Sequence, residues 1–355
     1  MTKRIEVFQS FRFIAFLLIF IWHLNGYMGI SVTSHAQIAV SFFIIISGFL
    51  NCIYIENDSN YNSNVNYLTK MFNYARTKIK KIYPLYIVTI ILFIPLSFKN
   101  LVIENNVSII IYMLCVIANI FLLEAWFPKN FDSISYAGWY LSILVFLQFI
   151  TIPLNDLYKR VHSKINSNIL IIAAVFILFL MYTIFVGNEF YFYYNFPLYR
   201  IFEYFIGFIL GKMYLNGEYK KMFCDKKLST FIEIITILVC LIVYNLFYSS
   251  SNYGVHSVVE MLVIMAIIFV FSHEAGYISN LLKNKFLINS GNISGELYLI
   301  HNLFTAYLLG IITRIVPHGN FVVNLLVFTL TFILSYITSY FIHYRKDYFK
   351  CLKRN

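Results

Sequence analysis

Long apolar blocks follow one another along the chain, separated by short polar segments. Runs of about 17 or more apolar residues, folded as helices, match a hydrocarbon core about 30 Å thick. The pattern therefore predicts an all-α integral membrane protein with about ten transmembrane helices. The predicted spans are residues 10–28, 37–55, 82–98, 107–123, 168–186, 197–216, 228–248, 255–272, 293–315 and 321–343.

An eleventh apolar segment, residues 139–152, is shorter than the others. Its length of about 14 residues is more typical of re-entrant or interfacial elements than of spanning helices. If it crossed the membrane, the basic segment 154–167 would lie on the side opposite to the other basic loops. We therefore predict a short re-entrant or tilted element here.

Composition agrees with a membrane protein, because 60% of the residues are hydrophobic and only 12% are charged. Soluble domains have roughly 45–50% apolar and 25% charged residues. The longest polar stretch, 56–80, is typical of a loop, so we predict a single transmembrane domain over residues 1–355 without a separate soluble domain. The first apolar block lacks a small-x-small cleavage site and is predicted to be a retained helix, not a signal peptide.

The net charge of +11 comes from basic residues concentrated in alternate loops and at both ends of the chain. This distribution is typical of topology determinants beside an anionic leaflet, and it argues against nucleic acid as a partner. Both termini are predicted to be cytoplasmic, with membrane lipids as partners. Five scattered cysteines lack paired spacing, so neither a disulfide framework nor a metal site is predicted.

Ionisable residues inside a membrane are candidates for a functional site. Arg12 and His23 are eleven residues apart on the first predicted helix, so they project from one face about 16 Å apart along the axis. In a purely structural interpretation, Arg12 extends to the surface and His23 caps the outer end. Alternatively, His23 acts as a general base, since the histidine pKa lies near neutrality.

A second cationic group comprises Arg76, Lys80 and Lys81 beside the third predicted span. These side chains either anchor the helix at the cytoplasmic face or hold the phosphates of a bulky cytosolic donor. In the span 197–216, Arg200 and Glu203 are three residues apart and are predicted to pair.

The remaining polar positions also have two interpretations each. Gly207 and Gly211 follow Glu203 on one helix face, which indicates close helix packing or support for a polar cavity. The segment 42–49, with Ser47 and Gly48, indicates close packing or a substrate tunnel. Ser294, Tyr298 and His301 share a face, for hydrogen bonding or for chemistry. Three glutamates near span ends are expected to reach headgroups, and they are Glu233, Glu260 and Glu296.

These features, in this order, resemble the acyltransferase-3 family of bacterial membrane acyltransferases. The resemblance rests on six segments: Arg12 with His23, Phe42–Leu50, Lys81–Tyr86, Trp139–Ser142, Arg200–Gly207, and Ser294 with Tyr298 and His301. One departure concerns Leu144, where many members have Glu. It indicates a divergent branch of the family. Some members carry a fused extracytoplasmic domain. This chain is expected to complete the transfer alone or with a separate partner.

The resemblance implies transfer of an acyl group, usually from acetyl-CoA or another acyl-CoA, without a bound cofactor. The implied acceptor is a hydroxyl of a capsule, exopolysaccharide or other surface glycan, or of its lipid-linked precursor, at a bacterial plasma membrane. His23 is expected to be the general base, and Arg12 with the basic group is expected to hold the donor. The supporting residues implied are Ser47, Trp139, Arg200, Glu203, Tyr298 and His301.

Transport is the competing class of function, because intramembrane Arg, His and Glu also occur in pathways for a glycan, lipid or proton-coupled solute. The chain shows no internal repeat, although transporters often have related halves. A transporter needs no acyl-CoA and leaves its substrate unmodified. A structural scaffold would explain the hydrophobicity but not the buried charges.

Overall fold

The computed structural model describes residues 4–28, 36–57, 66–127, 134–135, 138–248, 250, 252–312 and 321–352. Within these ranges the chain forms helices and has no β-strand. The α-helices are α1 (Val7–Met28), α2 (Ala36–Asn57), α3 (Tyr67–Ile79), α4 (Tyr83–Phe98), α5 (Ile109–Ile120), α6 (Gly138–Ile165), α7 (Asn168–Val186), α8 (Phe190–Tyr194), α9 (Pro197–Leu215), α10 (Lys226–Tyr248), α11 (Tyr253–Phe271), α12 (Tyr277–Leu282), α13 (Lys285–Asn292), α14 (Ser294–Ile312) and α15 (Phe321–Leu352).

Eight helices in the described part of the chain are long and apolar enough to cross a membrane, which confirms the predicted fold class. They cover Ala36–Asn57, Tyr83–Glu104, Gly138–Ile165, Asn168–Val186, Lys226–Phe247, Tyr253–Phe271, Ser294–Ile312 and Val322–Arg345. Val7–His23 and Ile109–Ile120 are shorter apolar helices. Helix α9 carries three charged residues and is largely buried, so neighbouring helices shield its charges.

Residues 139–152 differ from the short element predicted, because they form the first half of the 28-residue helix α6. The apolar run stops at Pro153, yet the helix continues to Ile165. Leu154 and Tyr158 are buried in this second half, so packing sustains the helix beyond the proline. The basic residues expected in a loop therefore lie on α6. The apolar helix α5 is shorter, with 12 residues.

The chain divides into two compact units. The first unit comprises Met1–Arg12, Gln37–Lys78 and Ile143–Ile288, and the second comprises Phe13–Ala36, Ile79–Ser142 and Asn289–Asn355. Helices α1 and α6 each contribute residues to both units.

Helices α2 and α9 approach each other closely in the first unit, and three glycines permit this approach. A Cβ atom on Gly48 would overlap the carbonyl oxygen of Tyr204, and one on Gly207 would overlap that of Ile45. A Cβ on Gly211 would lie 2.8 Å from Phe49 O. The small-residue interface predicted for these segments is therefore present, and it brings two backbones together.

Apolar side chains cover the outer faces of α7 and α10 in the same unit. Ile184 is 82% exposed and Phe185 is 90% exposed, while Leu241 and Ile242 are exposed on α10. Large exposed apolar surfaces of this kind are unfavourable in water. They are suited to contact with lipid chains.

In the second unit, α14 packs along α15 and also contacts α4. Phe20 of α1 lies against this pair, with its ring centroid 5.1 Å from Phe328 and 5.6 Å from Phe332. At the other end, the Ser290 and Tyr336 hydroxyls are 2.9 Å apart. The Phe20 contacts hold the middle of α1 against the α14–α15 pair. The Ser290–Tyr336 contact joins α13 to α15.

Candidate active site

Two histidines from distant parts of the sequence meet in the second unit. His23 lies on α1 and His301 lies on α14, and His23 Nδ1 is 3.0 Å from His301 Nε2. His301 is fully buried, whereas His23 is half-buried and has Trp22 beside it, with the ring centroids 5.0 Å apart. The pair therefore combines an enclosed imidazole with a more accessible one.

The hydrogen bonds define the proton positions on both rings. His301 Nδ1 lies 3.1 Å from the carbonyl oxygen of Leu297, and a carbonyl can only accept. His301 Nδ1 therefore carries the proton, and in the neutral ring Nε2 is an acceptor. His23 Nδ1–H must then donate to it, which leaves a lone pair on His23 Nε2. No described residue hydrogen-bonds that nitrogen.

Aromatic rings enclose His301 on its remaining sides. The centroids of Phe16, Phe20 and Tyr298 lie 5.6, 6.0 and 6.0 Å from that of the imidazole. Tyr298 also packs edge-on against Tyr140 of α6, with centroids 5.2 Å apart. The enclosure and the polar contacts with Leu297 and His23 limit rotation of the His301 ring.

The predicted site residues are divided between the two units. The second unit holds His23, Trp139, Tyr298, His301, Lys80 and Lys81. The first unit holds Arg12, Ser47, Arg76, Arg200 and Glu203. The histidines and Tyr298 form one cluster, and Arg200 with Glu203 belongs to another.

The predicted donor-binding residues lie at the surface or near it. Arg76, Lys80 and Lys81 are exposed. Arg76 lies on α3, and the two lysines lie in the turn that follows this helix. Arg12 is half-buried on α1, where its Nη1 donates to Gln9 Oε1 at 3.2 Å. Exposed cationic side chains can bind anions.

Arg200 and Glu203 form the predicted pair, with Nη1 2.6 Å from Glu203 Oε2. Both side chains are almost completely buried. Arg200 also donates to Ser41 Oγ at 3.2 Å and, through Nε and Nη2, to the carbonyl oxygen of Tyr194. These contacts link α2 to α9 and stabilise the buried guanidinium charge of Arg200.

A third ionisable residue, Glu260 of α11, joins this cluster through Ser41, whose hydroxyl donates to Glu260 Oε2 at 3.3 Å. Glu260 is only 4% exposed. The prediction that its side chain reaches the lipid headgroups is therefore wrong. Glu233 is also buried. It accepts bonds from the backbone amides of Gly276, Ile278 and Ser279 around the start of α12. Both glutamates find partners on neighbouring helices instead of water.

Glu124 is a buried carboxyl group that sequence reasoning missed. It is 1% exposed in the second unit, and Tyr86 donates its hydroxyl to Glu124 Oε1 at 3.0 Å. A Cβ on Gly138 would lie 2.5 Å from the same oxygen, so this glycine leaves room for the carboxyl group. Burial marks Glu124 as a candidate functional residue, and this burial cannot be recognised from the sequence alone.

Together, the apolar helices and the histidine pair define a polytopic membrane protein with an arrangement suited to general-base chemistry. The chain belongs to the acyltransferase-3 family, because the family model described as "Acyltransferase domain" matches residues 7–344. It is therefore a membrane acyltransferase. No curated protein and no solved structure matches the chain.

Proposed function

We propose that this protein transfers an acyl group, with acetyl expected, from acyl-CoA to a hydroxyl of a surface polysaccharide or its lipid-linked precursor in a bacterial plasma membrane. The observation that carries the proposal is the His23–His301 pair in a member of an acyltransferase family. A hydroxyl is a weak nucleophile until a base removes its proton. An imidazole with an accessible lone pair can supply that base.

In the proposed reaction, His23 Nε2 accepts the proton of the acceptor hydroxyl while its oxygen attacks the thioester carbonyl. The new C–O bond forms and the C–S bond breaks. His23 then gives the proton to the departing CoA sulfur, so the imidazole returns to its neutral form. General-base assistance typically contributes about 10² to 10⁴ in rate.

The donor is expected to bind through its phosphates, which favour cationic side chains. Arg76, Lys80 and Lys81 are exposed and close in sequence, and Arg12 adds a fourth cation on α1. Replacing Arg76, Lys80 and Lys81 with Gln should raise the KM for acyl-CoA more than it lowers kcat. Lys164→Gln, an exposed lysine on α6, is the matched control.

The direct test uses membranes that contain the protein and acetyl-CoA labelled in the acyl group. Label transferred to the glycan fraction and free CoA thiol are measured together, for wild type, His23→Ala and the control His256→Ala. We expect a loss of about 10²-fold or more for His23→Ala alone. Full transfer by His23→Ala at equal protein level would refute its role, and no label transfer by wild type from acetyl-CoA or succinyl-CoA would refute the proposed function.

A further inference from the structure

We infer that His301 is a positioning residue for His23 and that it acts by selecting which nitrogen of His23 is free to accept a proton. This inference rests on the proposed function, in which His23 is the base. Its observations are the two contacts of one buried ring: His301 Nδ1 with Leu297 O at 3.1 Å and His301 Nε2 with His23 Nδ1 at 3.0 Å.

The chain of hydrogen bonds begins at the backbone. Leu297 is four residues before His301 on α14, so its carbonyl lies one helical turn away and has a second lone pair available. A backbone carbonyl cannot donate, so the direction of every bond in the chain is set from this end. The order is His23 Nδ1–H to His301 Nε2, and His301 Nδ1–H to Leu297 O.

Burial keeps this arrangement from reversing. If His23 carried its proton on Nε2 instead, two unprotonated nitrogens would face each other across 3.0 Å. A buried acceptor that is left without a donor is unfavourable. Because His301 is fully buried among Phe16, Phe20 and Tyr298, solvent does not replace the missing donor.

The same contact helps during the reaction. When His23 Nε2 accepts the substrate proton, the ring becomes a cation and its Nδ1–H bond to His301 becomes charge-assisted. Such bonds are roughly twice as strong as neutral ones. His301 therefore stabilises the protonated base without contacting the substrate, and it should influence kcat rather than binding of the donor.

Two amide substitutions separate this role from simple packing. His301→Gln can place its amide oxygen near the position of Nε2, where it accepts from His23. His301→Asn has a shorter side chain that reaches toward Leu297 but not toward His23. We expect His301→Asn and His301→Ala to lower kcat on the order of 10²-fold with little change in the KM for acyl-CoA, and His301→Gln to recover at least about 10-fold.

A double-mutant cycle gives the second test in the same transfer assay. If His301 acts through His23, then His301→Ala should cost little further activity in a His23→Ala background. Equal loss in His301→Gln and His301→Asn, or a full additional loss in the double variant, would overturn the positioning role. Retained activity in His23→Ala would instead overturn the proposed base, so the two failures are distinguishable.

Discussion

At the residue scale, the cluster around Arg200 contains one guanidinium group and two carboxyl groups. Glu203 pairs directly with Arg200 at 2.6 Å, whereas Glu260 receives only the Ser41 hydroxyl. Glu203 Oε1 and Glu260 Oε1 are buried without a hydrogen-bond partner among the described residues. A second buried negative charge would be uncompensated, so we expect Glu260 to carry a proton in the folded protein.

This charge count predicts unequal effects of two matched substitutions. Glu203→Gln removes the carboxylate that is bonded directly to the buried guanidinium and should cost about 3–5 kcal/mol of stability. Glu260→Gln replaces a neutral acid with a neutral amide and should cost less than about 1 kcal/mol. Both losses of stability are measured by thermal unfolding in detergent, with the remaining fraction of monodisperse protein as the readout. Similar destabilisation by the two substitutions would contradict the assigned protonation.

Some side-chain contacts of the candidate site can be predicted from the sequence, and others cannot. The Arg200–Glu203 pair follows from a spacing of three residues in one helix. His23 and His301 each stand out as costly residues inside the membrane, but they are 278 positions apart and their contact depends on tertiary packing. The sequence does not assign Glu124 and Glu260 to buried clusters, because a position near the end of an apolar run does not reveal what packs over it.

At the element scale, the close crossing of α2 and α9 depends on Gly207. Gly207→Ala would place a Cβ against the carbonyl oxygen of Ile45, so the helices must separate. We expect a loss of about 1–3 kcal/mol, measured as thermal stability in detergent. Gly310→Ala is the control, because a Cβ atom there would meet no described residue outside the neighbouring backbone of its own helix within 4 Å, and alanine favours the helix. Equal stability of the two variants would show that the crossing tolerates separation.

Helix α6 shows where the sequence pattern is insufficient at this scale. The apolar run ends near Pro153, and a polar segment with three basic residues follows, so the pattern predicts a short element and a loop. The helix continues because Leu154 and Tyr158 pack into the first unit. Tertiary burial outweighs the proline and the local polarity, and this burial cannot be seen in a hydropathy pattern.

At the scale of the whole molecule, the distribution of positive charge predicts the orientation. Cys224 lies next to Lys220, Lys221, Lys226 and Lys227, so we expect it on the cytoplasmic side. It is exposed, whereas Cys52, Cys115 and Cys240 are buried. With Cys351 replaced by Ser, a membrane-impermeant maleimide should label Cys224 in inverted vesicles but not in intact spheroplasts.

The control for this labelling is Glu189→Cys in a Cys224→Ser, Cys351→Ser background. Glu189 is exposed in the connection between α7 and α8, which lacks positive charge. It should react in intact spheroplasts, on the side opposite to Cys224. Labelling of both positions from the same side would contradict the predicted orientation.

The proposed acyl transfer is tested in the cell by the O-acyl content of the surface glycan, measured by mass spectrometry. A deletion strain carries wild type, His23→Ala or Arg12→Ala at matched protein levels. If the protein acylates the glycan through His23 and Arg12, the acyl mass is absent from the deletion strain and strongly reduced in both variants, while the glycan still reaches the surface. Unchanged acylation together with loss of surface glycan would contradict it and would identify export as the activity.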